Sequence, residues 1–194
     1  QLDAPFKNDP VAILKTQNRY YQSSWCNDTL AIVSDYWWNN RNQKTYLFNP
    51  SNPSKEPSII SDRNYQDRYS DPGDFVEERN RYGEYVLLLR NKNLFLIGDG
   101  FSADGQFPFL DELKIGTFKK KRIYESTIEG EKESLRDFNP DDNKLFVRIE
   151  SPKEYPNYFF RDLKANDIKR ITSFDNPFSS IMEVSKEVIE YKRS

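Results

Sequence analysis

The sequence predicts an all-β chain, a partial β-propeller of about three four-stranded antiparallel blades. Three observations carry that expectation. Apolar residues alternate at period two far more than they recur at helical spacing. Clusters of Asn, Asp, Pro and Gly punctuate the chain between the alternating runs. Three stretches repeat one grammar, a short strand, a polar turn, a strongly apolar strand, a third strand and a basic closing strand.

In order, the predicted strands are Thr29 to Asp35, Thr45 to Phe48, Ser58 to Ser61, Tyr85 to Arg90, Asn93 to Gly98 and Leu110 to Ile115. Lys121 to Glu125, Lys144 to Glu150, Tyr158 to Leu163 and Asp167 to Thr172 follow. Turns are expected at Asn49-Pro50-Ser51-Asn52-Pro53, Asp71-Pro72-Gly73-Asp74, Gly98-Asp99-Gly100 and Asn139-Pro140-Asp141-Asp142-Asn143. Helical signals are few. Asp9 to Thr16 places Pro10 where a first helical turn accepts it. Ser179 to Lys186 reads equally as helix, strand or coil.

The repeats place blades at about 19–63, 74–126 and 134–174, with 175–194 as a linker. In the second, Asp74 to Asn80 should be the first strand and Tyr85-Val86-Leu87-Leu88-Leu89 the second. A single four-stranded blade cannot cover both its faces, so neighbouring blades must stack. Three blades make an arc and leave two faces open. Self-association through those faces is therefore expected. A β-sandwich of about ten strands is the competing architecture, because it too gives alternation and frequent turns.

Composition sets limits on function. The chain has 194 residues, with 29 basic against 31 acidic side chains. That balance lacks the strong positive field of a nucleic-acid binder. No apolar run approaches the roughly 18 residues that a membrane-crossing helix needs. Histidine is absent, and Cys26 is the one cysteine. No Ser-His-Asp or Cys-His triad can be assembled, nor a zinc site of the Cys/His type, and no cofactor or metal is expected. Cys26 reads as a lone buried thiol. The high aromatic share, 14 Phe and 12 Tyr, supplies burial area that the modest aliphatic content does not. Gln1 leads straight into Leu2-Asp3-Ala4-Pro5-Phe6, as if the chain were cut from something longer.

A family resemblance rests on several segments in order. Ile168-Lys169-Arg170-Ile171-Thr172, Asn176-Pro177 and then Glu187-Val188-Ile189-Glu190-Tyr191-Lys192-Arg193 resemble the end of the propeller of prolyl-oligopeptidase-type serine peptidases. Ser61-Asp62-Arg63 with Asp67-Arg68-Tyr69-Ser70-Asp71-Pro72-Gly73 is similar to the glutamyl-endopeptidase-like branch. So are Asp35-Tyr36-Trp37-Trp38 with Arg41, Gly98-Asp99-Gly100, Pro108-Phe109-Leu110-Asp111 and Ile123-Tyr124-Glu125-Ser126. The resemblance implies a non-catalytic propeller segment. Its partners would be peptide substrate and a hydrolase domain of the same parent chain, periplasmic or secreted in a bacterium. The nearest approach to a G-x-S-x-G elbow is Gly100-Phe101-Ser102-Ala103-Asp104, which lacks the second glycine in register, so no catalytic residue is assigned.

Arg41 and Arg63 are the first substrate-binding candidates, because a guanidinium grips a carboxylate through two parallel hydrogen bonds. Either could instead brace a loop by pairing with Asp35, Asp62 or Asp67. Trp38 and Tyr69 are further candidates. Trp37 and Trp38 are strand neighbours that point to opposite faces, so core packing of one is expected, with the other at the rim. Asp62, Asp67, Asp71 and Asp74 lack the spacing of a calcium loop and read as turn caps. Lys119-Lys120-Lys121-Arg122 reads as a charged edge strand. The competing function is a stand-alone interaction or carbohydrate-binding module that would use Tyr20, Tyr21, Tyr36 and Trp38.

Overall fold

The protein is described by a computed structural model covering residues 4–181, 184 and 187–192. The chain forms two compact units, 1–127 and 128–194. Among the described residues there is no α-helix. The fold class read from the sequence is therefore correct: an all-β chain of successive four-stranded antiparallel sheets.

In the first unit, β1 (Arg19–Asn27), β2 (Leu30–Trp37), β3 (Asn42–Phe48) and β4 (Ser58–Asn64) pair in sequence order as one up-and-down sheet. Strand β2 is buried on both faces from Leu30 to Asp35, which is why Leu30-Ala31-Ile32-Val33 runs apolar without a break. Leu30 and Ile32 face one side, and Ala31 and Val33 the other. Ala31, Val33, Tyr46 and Phe48 are covered by Ile13 and Leu14. Those two residues belong to the segment expected to be a helix, Asp9 to Thr16, which is in fact irregular. So short a stretch cannot meet the cost of helix nucleation, and packing onto the sheet decides its path instead.

The second sheet departs from its expected order. After β5 (Asp74–Phe75) the chain makes a separate ribbon, β6 (Glu77–Arg79) with β7 (Tyr85–Leu87), then β8 (Leu89–Arg90) and β9 (Asn93–Gly98). A second ribbon, β10 (Phe101–Ser102) with β11 (Gly105–Gln106), precedes β12 (Phe109–Lys114) and β13 (Lys120–Glu125). The order is β13-β12-β9-β5, with β8 also on β9. The central strand is thus Asn93–Gly98, not the Tyr85 to Leu89 run. Asn80 turns the intervening segment back on itself, accepting from Gly83 N at 2.9 Å and donating to Glu84 O at 2.9 Å. Leu94 and Leu96 of β9 meet Leu30 and Ile32 of β2, with Leu87 and Leu113 beside them. Face-to-face stacking of the two sheets thus forms the apolar core.

The second unit holds β14 (Lys132–Asn139), β15 (Lys144–Glu150), β16 (Asn157–Asp162) and β17 (Asp167–Arg170), again in sequence order. Leu145, Val147 and Ile149 lie on one face of β15. Phe146 stacks with Tyr158 at 5.3 Å and meets Phe160 at 5.6 Å on the other. Glu133, fully buried, accepts from Arg161 Nη2 at 2.9 Å and Nε at 3.2 Å. Of the ambiguous stretch Ser179 to Lys186, Ser179–Ile181 is a 3-10 turn. Residues 182, 183, 185 and 186 lie outside the described residues, as do Gln1, Leu2, Asp3, Arg193 and Ser194.

Candidate functional site

Connectivity gathers the sequence candidates at one end of the first unit. Pairing sets Arg19 opposite Tyr36, Trp37 opposite Asn42, and Asn42 opposite Asn64. The chain then runs from Asn64 through a loop to Asp74, which pairs with Ile97 near the β9–β12 turn. The 38–41 turn, the 64–73 loop and the 99–108 connection therefore share that end. Tyr65 N donates to Arg41 O at 2.9 Å, tying the first two together. Arg68 lies 3.7 Å over the Phe101 ring and ties the loop to the β10–β11 ribbon.

Glycine makes the close approaches possible. A Cβ on Gly73, at φ +83°, would stand 2.5 Å from Ile97 O, and one on Gly100, at φ +64°, 1.8 Å from Phe107 O. Side chains at these positions would collide with backbone, so only glycine lets the 64–73 loop lie against β9 and the 99–108 connection close on itself.

Arg63 is an internal brace. Its side chain is only 12% exposed and donates to Asp71 Oδ2 at 2.8 Å, Asp67 O at 2.7 Å and Asn64 O at 3.2 Å. The bracing alternative weighed above describes it, although the carboxylate is that of Asp71 and not Asp35, Asp62 or Asp67. Arg41 has no such acid. At φ +59° it folds back, donates to Trp38 O at 2.6 Å and lies 3.8 Å over the Trp38 ring.

The expectation that one of the two tryptophans packs in the core while the other lies at the rim is not met, because both are exposed. Trp37 is 37% exposed and Trp38 64%, and Arg19 and Arg41 stack on their respective rings. Strand β2 ends at Trp37, so strand alternation does not extend to Trp38. Tyr69 is 68% exposed, and its amide donates to Asp67 Oδ1 at 3.0 Å. Asp71 Oδ1 accepts from Gly73 N at 3.0 Å, so these two aspartates cap turns as read from the sequence, whereas Asp62 and Asp74, expected to do the same, lie in strands β4 and β5. The Ser70 hydroxyl, then the Tyr69 amide, hold the Asp67 carboxyl below its ordinary range. Asn42, then Lys44, do the same for Asp62. Lys120 lies in the edge strand β13, as its basic run implied.

Between the two sheets lies a cavity of about 330 Å³. Ile32 and Leu96 form its apolar floor, while Gln22, Ser24, Arg63 and Asp71 are among its polar walls. Burial lowers the affinity of Lys120 for its proton, and burial, then Asp71 and Asp99, push the Asp74 carboxyl up. On the other side of the loop, Arg68, Tyr69, Phe101 and Arg122 line an open depression. Sequence reading missed Arg68, Phe101 and Arg122, because ring stacking depends on contacts far apart in the chain. Cys26 is half-buried against the inter-sheet core, short of the full burial expected, and burial, then Glu78, push its thiol up. Among the described residues no group of His, Cys, Asp or Glu could hold a metal.

Fold and site define a class: an all-β chain of successive antiparallel sheets whose loops present arginine and aromatic side chains. The chain matches no protein-family model. It is 32% identical over 200 residues to a protein of Arabidopsis thaliana named "Probable glutamyl endopeptidase, chloroplastic", covering 95% of this chain. A protein of Oryza sativa subsp. japonica with the same name is 30% identical over 198 residues. The resemblance to glutamyl endopeptidases read from the sequence is thereby borne out. The chain spans 21% of the length of each of these relatives. Among solved structures, TolB from Acinetobacter baumannii is matched over 89% of this chain and 36% of that one, with 15% identity and a TM-score of 0.44.

Proposed function

We propose that this chain is a non-catalytic β-propeller segment of a prolyl-oligopeptidase-type serine peptidase, gating and positioning peptide for an α/β-hydrolase domain carried elsewhere in the same polypeptide. The observation that supports this most is the similarity to proteins named glutamyl endopeptidase over 95% of the chain. The absence of histidine adds to it, since no imidazole is present to activate a serine. In this reading, the end carrying Arg41, Trp38 and Tyr69 faces the peptide, and Arg63 holds the intervening loop in shape.

Two assays test it. Glu-containing chromogenic peptides incubated with the 194-residue chain alone should release no chromophore above the blank, and release would overturn the non-catalytic assignment. In the full-length parent, Arg41→Ala with Tyr69→Ala should change kcat/KM for long peptides by about tenfold, with less effect on dipeptide-length substrates. Equal effects at both lengths would sink the gating role.

A further inference from the structure

Edge strands are places where another chain can add, and proteins block them with charge or by keeping them short. Among the described residues, five of the six outer edges of the three larger sheets follow that rule. Strand β5 has two residues, and the other four carry charge: Asp62 and Arg63 in β4, Lys120, Lys121 and Arg122 in β13, Lys132 and Arg136 in β14, Lys169 and Arg170 in β17. Strand β1 is the exception. It is nine residues long, and from Tyr20 to Asn27 it has no charged residue. Among the described residues its ladder partner is β2 alone; β7 lies near it but belongs to another sheet. In an antiparallel pair, alternate residues direct N–H and C=O away from the partner, so half of the β1 backbone groups face outward.

We propose that the β1 edge binds an extended peptide as an added antiparallel or parallel strand. The occupant is a short segment, because bulges at Tyr20/Gln22 and Trp25/Asn27 leave an uninterrupted register of Gln22, Ser23, Ser24 and Trp25. That stretch is about 13 Å long, matching four to six residues of extended chain and too short for two full edges to zip together. The side chains have distinct settings. Gln22 and Ser24 line the inter-sheet cavity, while the Trp25 ring meets Phe48 at 6.2 Å on the opposite face. An added strand would lay alternate side chains beside the polar cavity and beside Trp25, so backbone bonds give affinity and the two settings give selectivity. An uncharged peptide, polar on one face and apolar on the other, fits. This deepens the proposed handling of peptide substrates and rests on that reading.

The test uses the 194-residue chain and a capped hexapeptide, Ser-Val-Thr-Tyr-Thr-Val, followed by residue-resolved amide exchange. Saturating peptide should slow exchange at Gln22–Trp25 by about tenfold. Methylating every second amide of the peptide, in each of the two phases, should abolish protection in one phase. Ser23→Lys should weaken binding by about tenfold, by placing charge on the edge. Equal protection with both methylated peptides, protection elsewhere only, or protection of 22–25 in a peptide-free dimer would overturn the proposal. Peptide binding here with no peptidase activity in the parent would overturn the functional reading instead and leave the edge site standing.

Discussion

Across the central strands of the first sheet, Tyr46 donates a hydrogen bond to Asp35 Oδ2 at 3.0 Å, with the carboxylate wholly removed from solvent. Asn18 N also donates to Oδ2, at 2.8 Å, while Asn18 Nδ2 and Lys44 N donate to Oδ1 at 3.2 and 3.3 Å. Four donors surround a carboxylate that would otherwise be costly to bury. Asp35→Ala should destabilise the first unit by about 3–5 kcal/mol, because it strands donors of Asn18, just before β1, and of Lys44 and Tyr46 in β3. Tyr46→Phe should cost about 1–2 kcal/mol, since three donors remain. Urea denaturation checks the order, and a larger loss in Tyr46→Phe would contradict this account.

The same pair predicts an alkaline transition. Burial first, then the hydrogen bond to Asp35, raise the Tyr46 phenol above its ordinary value. The neutral phenol is the form that donates to the carboxylate. Its contribution is therefore complete below the unfolded tyrosine value of about 10 and is lost as pH rises through the folded value. The stability of the chain should decline above pH ~10, and Tyr46→Phe should flatten that decline. An identical slope in the variant would remove Tyr46 from the explanation.

Gly73 and Gly83 share a left-handed backbone but not an environment. Gly73 has φ +83° with Ile97 O at 2.5 Å from a would-be Cβ, whereas Gly83 has φ +84° and open space. Gly83→Ala should cost only the conformational penalty, about 1 kcal/mol. Gly73→Ala adds a backbone collision and should cost at least about 2 kcal/mol. Thermal melts of the two variants separate these terms. Equal losses would mean that the loop can move away from β9 freely.

Strand identity was largely legible because alternation and turn chemistry are local. Lys144 to Glu150 reads as a strand from sequence and is one, at the same bounds. Legibility failed where distant packing decided. Nothing within Asp9 to Thr16 reveals that Ile13 and Leu14 lie on Val33 and Phe48. The Tyr85 to Leu89 run is as apolar as a central strand, yet Val86 pairs with Glu78 in a ribbon because the Asn80 turn captures it first. In the site, Asp67 and Asp71 were readable as caps, a matter of two-residue spacing. The stacking of Arg68 on Phe101 was not, since it joins residues 33 apart in the chain (101 − 68).

The second unit offers an independent test of buried charge. Glu133 and Arg161 face each other at 2.9 Å with side-chain exposures of 0% and 15%. Glu133→Ala should cost about 3–5 kcal/mol, because the mostly buried guanidinium loses the carboxylate it meets through Nε and Nη2. Glu133→Met combined with Arg161→Met should recover most of that loss, since neither charge is then left alone. A double variant no more stable than Glu133→Ala would show that the pair's geometry, and not charge cancellation, holds β14 to β16.

The two arginines singled out by sequence should part company on substitution. Arg63 makes three hydrogen bonds from a nearly buried position, so Arg63→Ala should cost about 1–3 kcal/mol and speed amide exchange across residues 64–73. Arg41 contributes one hydrogen bond and a ring contact on an exposed indole, so Arg41→Ala should cost less than about 1 kcal/mol and leave loop exchange unchanged. The contrast matters for function because a side chain that can be removed without loosening the fold is free to meet a ligand. Denaturation midpoints with residue-resolved exchange on both variants decide the matter. Should Arg41→Ala loosen the 64–73 loop as much as Arg63→Ala does, both arginines are structural, and Trp38 and Tyr69 alone remain as candidates at that end.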